Sequence, residues 1–323
     1  LKVKKGIEAS GQQGIEAKME VADRSHVATE KRNPRTKHLH TLSARECVDL
    51  IHQEDREVQH AMKRASKTIS RFIEAAEPGF LAGGRLVYVG AGTSGRLGVL
   101  DASEAPPTFQ VEPGRIVGII AGGDSSLRKS SEGKEDEPRG AWPELDALNL
   151  TSQDTVLAIA AGGTTPYALG ALEFCKQESR AAEQRPLTGL LVCTQMEQPA
   201  AADHLIVLKT GPEVLTGSTR MKAGTATKMT LNTISTTLMV RSGRVYENLM
   251  VDVRATNAKL RDRAARIVAT LTGLSREECF ELLERAGGAV KTAVVMQRLG
   301  LEREQAEERL SGAQGRLERA LEE

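Results

Sequence analysis

Residues 84–109 constrain the fold more than any other stretch. Leu86, Val87, Tyr88 and Val89 form a short run of strand formers with glycine on both sides. Gly90-Ala-Gly-Thr-Ser-Gly95 then turns the chain, and Leu97 to Leu100 open a helix. A strand, a glycine turn and a helix start leave backbone N–H groups and the positive end of the helix dipole facing outward. That geometry suits an anion, and Thr93 and Ser94 add hydroxyls to it. No Gly-Lys-Ser/Thr follows, so the turn is not a Walker loop. The spacing Gly90-x-Gly92-x-x-Gly95 leaves a dinucleotide reading open, as well as a tight turn that binds nothing. Glu104 lies further along the same helix, before Pro106-Pro107. A carboxylate beside an anion cradle would repel its ligand unless it took part in chemistry.

The pattern repeats. A second strand over 116–120 ends in Ala121-Gly-Gly123, and a third over 155–159 leads into Ala160-Ala-Gly-Gly-Thr-Thr-Pro-Tyr167. Gly163, Thr164 and Thr165 make the latter a second cradle. Two such loops at the strand ends of one parallel sheet would converge on one ligand. Strands four and five follow at 188–192 and 204–208. The alternation of strands and helices predicts a parallel sheet flanked by helices, an α/β fold.

Around this sheet the rest of the chain divides readily. Residues 1–27 read as a flexible or loosely docked extension. An apolar stripe predicts helices over 43–74, started by the Ser43…Glu46 capping box and stopped by Pro78-Gly79. Residues 124–140 are charged and read as solvated. After 211–222, residues 223–240 predict a buried helix, with Gly217-Ser218 as its start and Arg220 and Lys222 in its first turns. Cations there oppose the helix dipole, which a bound anion would explain. From residue 259 onward three or more short amphipathic helices are expected, with a capping box at Ser275…Glu278 and turns at Gly287-Gly288 and Gly300.

Composition narrows the function. A net charge of +1 and 3% aromatic residues offer neither an electrostatic footprint for nucleic acid nor a stacking platform. No run approaches the roughly 18 apolar residues of a membrane span. Cys47, Cys175, Cys193 and Cys279 lack metal-type spacing and read as reduced thiols of a cytoplasmic protein. His26, His38 and His40 read as surface residues, so no metal or cofactor is expected.

Residues 86–109 resemble the sugar-phosphate loop of sugar isomerase (SIS) domains, and more narrowly that of the N-acetylmuramic acid 6-phosphate etherases. The likeness extends from Thr29-Glu-Lys-Arg-Asn-Pro34 through Glu132-Gly-Lys-Glu-Asp136, the long stretch from Gly211 to Lys228 and Tyr246 to Asn257. It implies a flavodoxin-like three-layer SIS domain with five parallel strands in the order 2-1-3-4-5. The expected division is 28–78 as helices packing on that domain, 79–258 as the domain itself, and 259–323 as a small ubiquitin-associated-like helical bundle.

The resemblance also implies chemistry. Glu104 and Glu135 would be the catalytic carboxylates. Lys134 stands where the family often has a small residue, and it either favours the ionised form of its neighbour or points to water. Gly92, Thr93, Ser94, Gly95, Gly163, Thr164, Thr165, Ser218, Arg220 and Lys222 would bind the amino-sugar phosphate. Which carboxylate is acid and which is base stays open. A homodimer is expected, with no nucleic-acid or membrane partner. Two rivals share the fold: an aldose–ketose sugar-phosphate isomerase, and a non-catalytic sugar-phosphate sensor.

Overall fold

A computed structural model describes residues 23–129, 131–253 and 258–322, apart from the side chain of Glu132. Residues 1–22 of the expected extension lie outside the described residues. Of the remainder of that extension, Val27 is buried.

The first long element is α1, Ala44–Leu81. Ser43 and Glu46 form the expected capping box at its start. It is one helix, and it does not stop at Pro78. Proline there forgoes a single backbone bond in the last turns. The helix end packs tightly on the loop before the third strand: a Cβ on Gly79 would lie 2.4 Å from the Gln153 carbonyl oxygen.

The sheet comprises β1 Leu86–Gly90, β2 Ile116–Ile120, β3 Thr155–Ile159, β4 Leu187–Val192 and β5 His204–Val207. All pairings are parallel and the order is β2-β1-β3-β4-β5, as expected. Strands buried on both faces read as unbroken apolar runs, which is why they were legible. Side chains alternate between layers. Leu86 and Tyr88 point into a core shared with α1, α2 (Gly92–Phe109) and α5 (Lys222–Arg241). Val87 and Val89 point into a second core with α3 (Trp142–Ala147) and α4 (Pro166–Cys175). Three layers result.

Helix α2 is fixed from inside by Asp101. The Tyr88 hydroxyl donates to it at 2.8 Å, and Asn232 and Ser235 on α5 donate at 2.7 and 3.2 Å. Burial and the neighbouring Asp101 charge push the Tyr88 phenol well above its ordinary pKa, so it stays a donor.

Beyond α5 a short hairpin, β6 Val245–Tyr246 with β7 Leu249–Met250, leads to five helices: α6 Ala258–Thr272, α7 Arg276–Arg285, α8 Val290–Leu299, α9 Arg303–Gly312 and α10 Leu317–Leu321. They surround their own apolar core. The capping box at Ser275 and Glu278 is formed, and Gly300 ends α8 in the left-handed conformation.

Candidate active site

The order β2-β1-β3 makes the carboxyl ends of β1 and β3 the switch point of the sheet, because β1 continues into α2 on one face and β3 into α4 on the other. Open α/β sheets bind ligands at such points. A cavity of about 230 Å³ opens there. Its floor is Ala91–Ser94 after β1 and Ala161, Gly162, Thr164 and Thr165 after β3, with Gly217 and Thr219 beside them. A larger groove of about 510 Å³ between α1 and α5 has no such cradle.

The first cradle is tighter than its sequence suggests. Helix α2 begins within the glycine turn, at Gly92, whose φ of +52° is left-handed. A Cβ on Gly92 would lie 3.0 Å from Glu135 Oε1, so the carboxylate stands at the helix start. Ala91 provides no side-chain cap, and the first turn has no acidic residue of its own. Gly92, Thr93 and Ser94 of that first turn line the cavity. Gly95, expected to touch substrate, instead packs the helix onto the sheet: its Cβ would meet the Gly90 carbonyl oxygen and Ile120 at 2.6 Å each. Gly163 likewise shapes its turn, at φ +73° and with Met196 Sδ 2.5 Å from any added Cβ. Thr93, Ser94, Thr164 and Thr165 line the cavity.

Glu135 arrives on the segment that sequence alone made solvated. That segment is laid on α4: the Tyr167 N–H donates to the Glu135 carbonyl at 3.1 Å, and a Cβ on Gly170 would lie 1.7 Å from the Pro138 carbonyl oxygen. Lys134 forms its ion pair with Glu137 at 2.7 Å. Glu104 is elsewhere. It is exposed on α2, twelve residues past Gly92, which is about 18 Å along the axis at ~1.5 Å per residue. Glu104 and Glu135 of one chain therefore do not face one ligand.

The stretch from Gly211 to Lys222 also differs from expectation. Ser218 and Arg220 do not line the cavity, whereas Gly217 and Thr219 do. The helix starts at Lys222 rather than Gly217-Ser218, and its first amides are satisfied from within. The Lys222 and Ala223 N–H groups donate to the Glu213 carboxylate at 2.9 Å each. Lys222 is fully buried, and its Nζ meets Glu54 Oε2 at 2.8 Å. Glu54 also accepts from Asn33 at 2.8 Å and from Arg35. Burial alone would raise the Glu54 pKa, but the bonds from Arg35, Lys222 and Asn33 outweigh it and hold the group at about 2. Lys222 is thus committed to Glu54 rather than to a ligand.

The family resemblance implies that residues 29–34 pack near the site without assigning them a role; the structure shows residues 24–36 as a strap that closes one side of the cavity with Arg24, Val27 and Glu30. The strap is anchored by the Ala28 N–H donating to Thr194 Oγ1 at 3.2 Å, the Thr36 hydroxyl donating to the Val214 carbonyl at 2.8 Å, and the Asn33–Glu54 bond. The signal was present in Thr29-Glu30 ahead of Arg-Asn-Pro34, a polar segment with no evident task.

Residues 64–176 match the N-terminal SIS domain of glucokinase regulatory protein, and residues 247–292 match that protein's C-terminal lid domain. The chain is 47% identical over 298 residues to the N-acetylmuramic acid 6-phosphate etherase of Geobacillus thermodenitrificans, spanning 92% of this chain and 99% of that one. It is 46% identical over 298 residues to the protein of that name from Salmonella agona, spanning 92% and 98%. Among solved structures, a phosphoheptose isomerase from Neisseria gonorrhoeae superposes with a TM-score of 0.43 at 13% identity, over 61% of this chain and 98% of that one.

Proposed function

Because the chain belongs to the N-acetylmuramic acid 6-phosphate etherase family, we propose that it cleaves the D-lactyl ether of that sugar phosphate, giving N-acetylglucosamine 6-phosphate and D-lactate. It is a carbon–oxygen lyase. The observation that carries the reading is Glu135, a carboxylate at the open start of α2 between two amide-rich cradles.

The chemistry follows from the substrate. An ether resists direct hydrolysis because an alkoxide leaves poorly. Opening the ring frees an aldehyde at carbon 1, which acidifies the proton on carbon 2. Glu135 takes that proton as the carbon 3–oxygen bond breaks, and a second carboxyl protonates the departing lactyl oxygen. Water then adds to carbon 3 of the unsaturated aldehyde. One carboxyl must start ionised and the other protonated. Thr93, Ser94, Thr164, Thr165 and the amides beside them hold the phosphate, which fixes the reacting carbons against Glu135.

Glu104 is our second carboxyl, and a second copy of the chain delivers it. It stands on the outer side of α2, one turn beyond Leu100, which is 48% exposed and offers apolar surface to a subunit contact. A homodimer of this kind would give each cavity one Glu135 from its own chain and one Glu104 from its partner. Glu30, which lines the cavity of the same chain, is the alternative if a single chain suffices. A cytoplasmic location accords with four free cysteines, of which Cys175 and Cys193 are raised to about 12 by burial. The helical segment 258–322 is read as a subdomain packed after the SIS domain.

Turnover in oxygen-18 water tests the reaction. The expected result is label on carbon 3 of the amino sugar and none in lactate. Label in lactate, or a ketose formed without lactate, overturns the proposal.

A further inference from the structure

The substrate of the reaction proposed above carries two anions, the 6-phosphate and the carboxylate of its lactyl branch, and only the second distinguishes it from the amino-sugar product. The cradles suit a phosphate. The lactyl carboxylate needs a separate partner, because Glu30 and Glu135 line the same cavity and repel it. Arg24 is the one cationic side chain lining the cavity among the described residues, and it forms no ion pair with any of them.

Arg24 is held there by structure. Its carbonyl accepts from the Val27 N–H at 2.9 Å, and Val27 is 3% exposed. Two residues further on, Thr29 is fully buried and its Oγ1 has no hydrogen-bond partner. That hydroxyl faces the second cradle: a Cβ on Gly162 would lie 3.8 Å from it and 3.6 Å from Val27 Cγ1. Thr29 lies behind the lining of the cavity, and it is Arg24 on the strap that presents to the cavity a cation claimed by no acid among the described residues.

We infer that Arg24 binds the lactyl carboxylate through its guanidinium fork and makes the strap the element that separates substrate from product. The inference rests on the lyase reading. A planar fork matches a carboxylate with two parallel bonds, which an ammonium cannot reproduce.

Arg24→Met, which keeps length and loses charge, tests this together with Arg24→Lys. Two quantities are measured: kcat/KM for N-acetylmuramic acid 6-phosphate, and Ki for N-acetylglucosamine 6-phosphate as a competitive inhibitor. Expected is an approximately 10- to 100-fold fall in kcat/KM for Arg24→Met, a smaller fall for Arg24→Lys, and a Ki unchanged within about twofold. A parallel loss in both quantities, as phosphate binding or a distorted strap would cause, overturns the inference, and so does no loss in either. Wild-type protein that releases no lactate would sink the lyase reading itself, an outcome distinct from a wild-type enzyme indifferent to Arg24.

Discussion

Helices α2 and α5 lie side by side, and both begin near the cavity, yet they treat their first turns in opposite ways. The start of α2 faces the cavity: its N-cap residue Ala91 makes no side-chain cap bond, and Gly92, Thr93 and Ser94 line the cavity. The start of α5 is closed by Glu213, and its lysine is consumed by Glu54. From sequence both starts have a claim to an anion, α2 through its glycine turn and α5 through its cations. The fold keeps the first at the cavity and withdraws the second. A ligand is held where donors remain unmet, and a basic residue marks such a place only when no acid of the same chain has claimed it.

If α2 is the chemical helix and α5 the structural one, damage to the two should differ in kind. Glu104→Gln and Glu135→Gln should each lower kcat by about 100- to 10,000-fold with little change in melting temperature. Mixing the two inactive variants before dimers form should then restore about a quarter of wild-type activity, because half of a two-fold pair's random assemblies contain one intact site. No recovery would exclude a Glu104 shared between copies. Normal turnover in Glu104→Gln would pass its role to Glu30.

On the α5 side, Lys222→Met removes one partner of a buried charge pair, so stability should fall by about 3–5 kcal/mol. No mixture of variants should restore it. The pair also sets a pH dependence. The Glu54 carboxyl is held down at about 2, against about 4.3 in an unfolded chain. Its contribution is complete above the unfolded value and is lost as pH falls from there through the folded one. Melting curves should show this slope in wild type and lack it in Glu54→Gln. A Lys222→Met protein of wild-type stability and weaker phosphate binding would return Lys222 to the ligand.

These contrasts also mark what could be read in advance. The strands were legible because each is a short apolar run, while their order came from the family resemblance; the glycine turns that end β1 and β3 pointed to the cavity lined by Thr93, Ser94, Thr164 and Thr165. Burial of Lys222 was not, because Glu54 lies 168 residues away and pairing across that distance leaves no local pattern. Glu104 seemed close to the cradle in sequence, but a helix carries a residue twelve places on to its far end. Arg24 was hidden because a strap held by side-chain bonds has no periodicity, whereas Glu30 was visible only as part of the signature over residues 29–34. The hairpin at β6 and β7 has two residues per strand, too few to alternate.

The finest test of the comparison uses two serines. Ser94 stands in the first turn of α2 and lines the cavity, whereas Ser218 precedes α5 and does not. Both are partly exposed, so removing either hydroxyl leaves no buried void. A single hydrogen bond to phosphate contributes about 0.5–1.5 kcal/mol net. Ser94→Ala should therefore raise KM about 2- to 10-fold and leave kcat nearly unchanged, because the bond is made equally before and during the reaction. Ser218→Ala should change neither constant. Equal shifts in both variants would mean that the ligand spans the two helix starts, and the division between an open α2 and a closed α5 would fail at its most local point.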